Sequence, residues 1–193
     1  MFRRFTHPAG QDAQPAAPAT PAPAPAVPAG SEAETATARQ IVARLDAMPS
    51  AEARYLACFA YVMSRAAQAD LSISAEESAL MERFAVEYGG LDEAQAVLVV
   101  GMTKLQASIE GATEDYVVTR EFREISTMEQ RIQLLRCCFA VEAADGTINA
   151  EEASVVNEIA RELDIERADL NAVRDEFHEQ LSSVQAIRQV GGA

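Results

Sequence analysis

The sequence predicts an all-α protein: a bundle of about seven or eight helices, built from two helical hairpins related by a pseudo-two-fold axis and preceded by a disordered Ala/Pro-rich tail. Three observations carry that expectation. Ala, Leu, Glu, Arg and Gln recur at helical spacing from about Ser31 onward, and no proline follows Pro49. Three segments open with a small polar residue and then Glu or Gln three positions on, at Ser74/Glu77, Thr127/Gln130 and Asn149/Glu152. That spacing lets side chain and backbone cap each other at a helix start. Alternating strand patterns and tight hairpin turns between apolar runs are missing.

The elements follow in order. Residues 1–33 read as tail: from Pro8 to Gly30, 16 of 23 residues are Ala or Pro, and seven of the eight prolines fall there. Proline lacks an amide donor and fixes φ, so this stretch is expected to be an extended linker outside any core. Its tip, Met1-Phe2-Arg3-Arg4-Phe5, is basic and apolar but too short for more than a weak membrane or partner contact. The helical domain is expected over 34–190. A first helix spans about Thr35 to Met48 and stops at Pro49. Ser50 caps a second, with Leu56, Phe59, Ala60 and Met63 on one face. Ser74 starts a third, carrying Leu80, Phe84 and Tyr88 and ended by Gly89-Gly90. Asp92 caps a fourth with Val97, Met102 and Leu105, where Gly101 marks a close helix crossing. A fifth covers roughly Glu114 to Ile125. The sixth opens at Thr127 and turns Ile132, Leu135 and Phe139 inward. The seventh, capped by Asn149, buries Val155, Val156, Ile159 and Leu163. An eighth begins near Arg167 and uses Leu170, Val173, Phe177 and Leu181.

Composition narrows the function. The formal net charge is −14; the first 31 residues hold only Arg3, Arg4 and Asp12, so the rest carries −15. A body that acidic repels phosphate backbones, and nucleic acid is not an expected partner. No 18-residue apolar run exists, so no transmembrane segment is expected. His7 and His178 are the only histidines and Lys104 the only lysine, which leaves no Ser–His–Asp relay, His-rich zinc site or Gly-Lys-Ser/Thr phosphate loop. Cys58, Cys137 and Cys138 form no Cys-x-x-Cys pair and read as reduced, buried thiols of a cytosolic protein.

A repeat supplies the candidate site. Ala69-Asp70-Leu71-Ser72-Ile73-Ser74-Ala75-Glu76-Glu77 aligns, at an offset of 75 residues, with Ala144-Asp145-Gly146-Thr147-Ile148-Asn149-Ala150-Glu151-Glu152. Helix, short acidic link and capped helix thus occur twice, over about 56–90 and 131–164. If the two links converge, Asp70, Glu76, Glu77, Asp145, Glu151 and Glu152 would line one oxygen-rich site for a hard cation, Ca²⁺ or Mg²⁺. The plainer reading makes Ser74 and Asn149 caps, Glu77 and Glu152 their capping-box acids, and Glu76 and Glu151 complements to the helix dipole. The second link also matches the back half of an EF-hand loop, but Val141 and Ala143 stand where its first and third ligands would be.

The duplicated turn, especially Ala143 to Glu152 followed by Ile159-Ala160-Arg161-Glu162-Leu163, resembles the TerB family of bacterial tellurite-resistance-like proteins. The resemblance covers about Ala53 to Phe177, and the same domain resembles the N-terminal region of DjlA-type co-chaperones. No J-domain His-Pro-Asp is present, since His7-Pro8 continues with Ala9. The resemblance implies an all-helical, non-enzymatic domain associated with tellurite and other stress responses, acting through partners and bound cations. It maps the family's acidic turn residues onto the six named above, with Leu71 at the first copy's glycine position. The leading expectation is therefore a helical adaptor or sensor in a bacterial cytoplasm, or in weak association with the inner membrane, with an unidentified protein partner. The alternative is a self-associating structural module whose acidic turns only cap helices. An EF-hand-like calcium binder and a metal-dependent hydrolase are disfavoured, the first by its missing ligands and the second by the lack of His, Lys or a nucleophile beside the acids.

Overall fold

The computed structural model describes residues 29–67, 73–107 and 115–191. The expected disordered tail lies outside the described residues up to residue 28, and its last part is corrected: α1 already begins at Ala29, ahead of the start expected near Thr35. Within them the chain is helical throughout: α1 (Ala29–Asp46), α2 (Ser50–Ala66), α3 (Ala75–Glu87), α4 (Glu93–Ala107), α5 (Asp115–Ile125), α6 (Met128–Glu142), α7 (Ala150–Glu162), α8 (Arg167–Glu176), a 3-10 turn His178–Gln180, and α9 (Ser182–Gly191).

The three anticipated capping boxes form. Ser74 accepts from the Glu77 amide, Thr127 from that of Gln130, and Asn149 from those of Glu151 and Glu152, each answered by the acid or amide side chain three residues on. Asp92 and Gln95 make a fourth such pair ahead of α4. At the start of α2 the expectation is corrected. Pro49, extended at φ −55 and ψ 137, holds the cap position and Ser50 is already helical, with no side-chain cap bond. The residue before a proline resists helical backbone, so α1 ends at Asp46, short of Met48.

α2 is the hub. It packs on α1, α4, α5, α6 and α7, and Leu56, Phe59, Val62 and Met63 on it are fully buried. Phe59 meets Phe122 of α5 edge-on at 6.1 Å, and Phe139 of α6 stacks on Phe177 at 5.7 Å. Each such side chain contributes roughly 1.5–3 kcal/mol through burial. Cys58, Cys137 and Cys138 are buried and unbridged. Burial pushes the thiol of Cys138 up to about 12 and raises the other two as well, so all three stay protonated.

Two glycines have distinct roles at the end of α3. Gly90 takes the left-handed conformation at φ +67. Gly89 instead supplies close approach, because a Cβ there would lie 2.5 Å from the Ala85 carbonyl and 3.0 Å from Phe59 Cζ. Gly101 faces Ile41 of α1, whose Cδ1 would sit 3.4 Å from an added Cβ, which is the predicted close crossing.

Two further expectations are corrected. Val97 is 45% exposed, and Leu98, Val99 and Val100 are buried in its place, because α4 is covered by α1, α2 and α3 on different sides. The eighth helix does not reach Leu181. It ends at Glu176, and after the 3-10 turn Leu181 pairs with Ile148 in an isolated parallel bridge. The Ile148 amide donates to the Gln180 carbonyl at 2.7 Å and the Ser182 amide to that of Ile148 at 3.0 Å.

The helix–link–helix unit recurs as α2–α3 and α6–α7, with both second helices 13 residues long. Each second helix lies on the first helix of the other unit, α3 on α6 and α7 on α2. α6 and α7 also pack together closely.

Candidate functional site

The packing of α3 on α6 and of α7 on α2 brings the start of α3 and the second link to one side of the bundle. α2 ends at Ala66 with its C-cap at Ala67, and α6 ends at Glu142 with its C-cap at Ala143. A buried ion pair fixes the C-terminal end of α2: Arg65 donates to Glu162 of α7 at 2.6 Å and to Thr119 of α5 at 2.7 Å. The second link is set by its own polar groups. Asp145 accepts from the Thr147 amide at 2.8 Å, and Gly146 turns the chain at φ +93. From α9, Gln185 donates to the Gly146 carbonyl at 3.0 Å and accepts from the Thr147 hydroxyl at 3.2 Å.

Between the links lies a pocket of about 370 Å³, lined by Glu76, Glu77, Glu142, Asp145 and Glu152 over walls of Ile73, Leu80, Met81, Val141 and small alanines. Four of the six expected residues, Glu76, Glu77, Asp145 and Glu152, therefore share one cavity. Glu151 does not line it; it is exposed in the first turn of α7, where its amide bonds Asn149. Asp70 lies outside the described residues.

Glu142 was missed. Set against an EF-hand loop it falls between ligand positions, yet it lies four and seven residues after Cys138 and Leu135, both fully buried. A carboxylate continuing an apolar helical stripe was the available signal. Its residue is only 7% exposed, and it accepts no hydrogen bond from a described residue. Burial first, then the charges of Glu152 and Asp145, push its carboxyl up to about 8. It is largely protonated at neutral pH.

The other acids have partners. Glu77 accepts from the Ser74 amide at 2.7 Å and Glu152 from the Asn149 amide at 2.8 Å. The bonds from the Ser74 backbone and hydroxyl hold the Glu77 carboxyl below its ordinary range. Each takes its capping bond from the backbone amide through one carboxylate oxygen. Among the described residues, no three His, Cys, Asp or Glu side chains converge closely enough to enclose an ion. Val141 and Ala143 lie in the last turn of α6 and at its C-cap, so no loop wraps an ion in EF-hand fashion. Among the described residues the pocket lining holds carboxylates and apolar groups, with no hydroxyl, thiol, imidazole or amine.

Fold and site together define an acidic, all-helical domain with a carboxylate-rimmed pocket between two capped turns. A family model described as "Tellurite resistance protein TerB" matches residues 55–175, and the chain belongs to that family. The match begins in α2, ends in α8 and spans both links. No curated protein and no solved structure matches the chain. Among the described residues no helix is long and apolar enough to cross a membrane.

Proposed function

We propose that the chain is a non-enzymatic adaptor or sensor of TerB type, serving a bacterial stress response from the cytoplasm. In this reading a divalent cation at the acidic pocket sets its partner-binding state. The observation that supports the reading is the five-carboxylate pocket between α3 and α7. Its donor chemistry, carboxylate oxygens among the described residues, fits Ca²⁺ or Mg²⁺. Glu76, Glu77, Asp145 and Glu152 would hold the ion with Glu142 at the buried end; Asp70 belongs to the expected set, and Glu151, outside the pocket, plays no part in holding it. When bound, the cation supplies charge that offsets the mutual repulsion of these carboxylates. Ionised together, the acids at the starts of α3 and α7 press those helices apart; neutralised, they let them approach. Because α3 packs on α6 and α7 on α2, such a shift reaches both halves of the bundle and alters the surface offered to a partner.

Calorimetry of the full chain with CaCl₂ and MgCl₂ tests the cation step. The expected result is a saturable heat and a melting temperature raised by a few degrees at millimolar metal. No heat together with an unmoved melting temperature removes the cation from the reading and leaves partner binding alone.

A further inference from the structure

We propose that the pocket between the two turns receives an organic cation with an apolar stem, the side chain of an arginine or lysine presented by a protein partner. The inference rests on the adaptor reading and specifies how the partner is held.

Four observations carry it. Glu76, Glu77, Glu142, Asp145 and Glu152 line the pocket, and among the described residues no basic side chain does. Arg65, next to the wall at Ala66, is committed to Glu162 and Thr119. Glu142, only 7% exposed, lines the same pocket and accepts no hydrogen bond from a described residue, so a ligand's donor finds it without a competing partner there. The walls at Ile73, Leu80, Met81 and Val141 are apolar; a bare metal ion makes no use of them, while the methylenes of Arg or Lys bury against such a surface and keep the charged head among oxygens. Finally, the described acids stand around a volume of about 370 Å³ without closing on an ion. A guanidinium with five donors, or an ammonium with three, can reach several spaced carboxylates at once.

The test uses N-acetyl-arginine amide and N-acetyl-lysine amide, titrated calorimetrically into the full chain at pH 7. The expected result is binding with Kd on the order of 1 mM or tighter. N-acetyl-norleucine amide, which has a stem and no charge, gives no heat. Glu142→Gln weakens binding about tenfold, and Glu76→Gln, on the exposed rim where folding is safe, weakens it about threefold. No heat from either basic amide at 20-fold above the expected Kd, or unchanged affinity in both variants at preserved melting temperature, overturns the proposal. A Ca²⁺ or Mg²⁺ response without amide binding overturns this inference and leaves the cation-regulated adaptor standing. Amide binding without a divalent response supports the inference and removes the metal from that adaptor.

Discussion

Glu142 carries the most unusual chemistry in the molecule, and its environment dictates how stability depends on pH. Its folded value, about 8, lies above its ordinary 4.5. Between those values the folded chain holds a proton that the unfolded chain has released, so stability falls as pH rises through that window. Below pH 4.5 the side chain costs nothing by this route; above pH 8 the full cost of a buried, unpartnered carboxylate is present. Glu142→Gln removes the titration. The variant is expected to melt close to the wild type at pH 4.5 and to be more stable by about 1–3 kcal/mol at pH 8.5, measured by denaturation at the two pH values. Equal wild-type and variant stability at pH 8.5 would show that the carboxyl is not buried as described. The residue was legible through its period with Leu135 and Cys138. A loop template hides it, because that template counts ligands along the chain and not around a helix.

Helix starts were readable because a capping box is a contact between residues three apart, and three were placed correctly from Ser74, Thr127 and Asn149 alone. Helix ends that depend on distant residues were not. Gly89-Gly90 reads as a stop signal, yet only the fold shows that Gly89 is held against Phe59 and Cys137. Gly89→Ala should cost about 1–3 kcal/mol of stability, since the new methyl meets backbone and two packed side chains; chemical denaturation measures it, and a neutral result would contradict the packing at this turn. The break after Glu176 is likewise non-local, because Leu181 leaves the helix to bridge Ile148, 33 positions earlier in the chain. Deleting residues 178–193 removes the Gln180 carbonyl that accepts from the Ile148 amide. Hydrogen exchange at Ile148 is expected to speed up about tenfold or more while the α2 amides keep their protection. Unchanged exchange at Ile148 would mean the second link holds its shape unaided.

At the scale of the whole molecule, duplication was visible in the sequence as an offset of 75 residues, and the family followed from it. That Glu76, Glu77, Asp145 and Glu152 face one cavity was a conjecture from that repeat, and the packing of α3 on α6 and of α7 on α2 supplies the distance information that no local pattern contains. Glu151 shows the limit of the repeat: it occupies the same helical turn as Glu152, yet one step around the helix takes it out of the pocket. The body carries a charge of −15, and five of its acids line one pocket beside the starts of α3 and α7; the proposed response to positive charge rests on that arrangement.

The shared response of the two links is the central claim, and an amide NMR titration of the full chain with Ca²⁺ or Mg²⁺ tests it most directly. Residues 73–77 and 145–152 are expected to shift together along a single binding curve with one dissociation constant. Movement of one link alone, separate constants for the two, or still spectra at millimolar cation would contradict it.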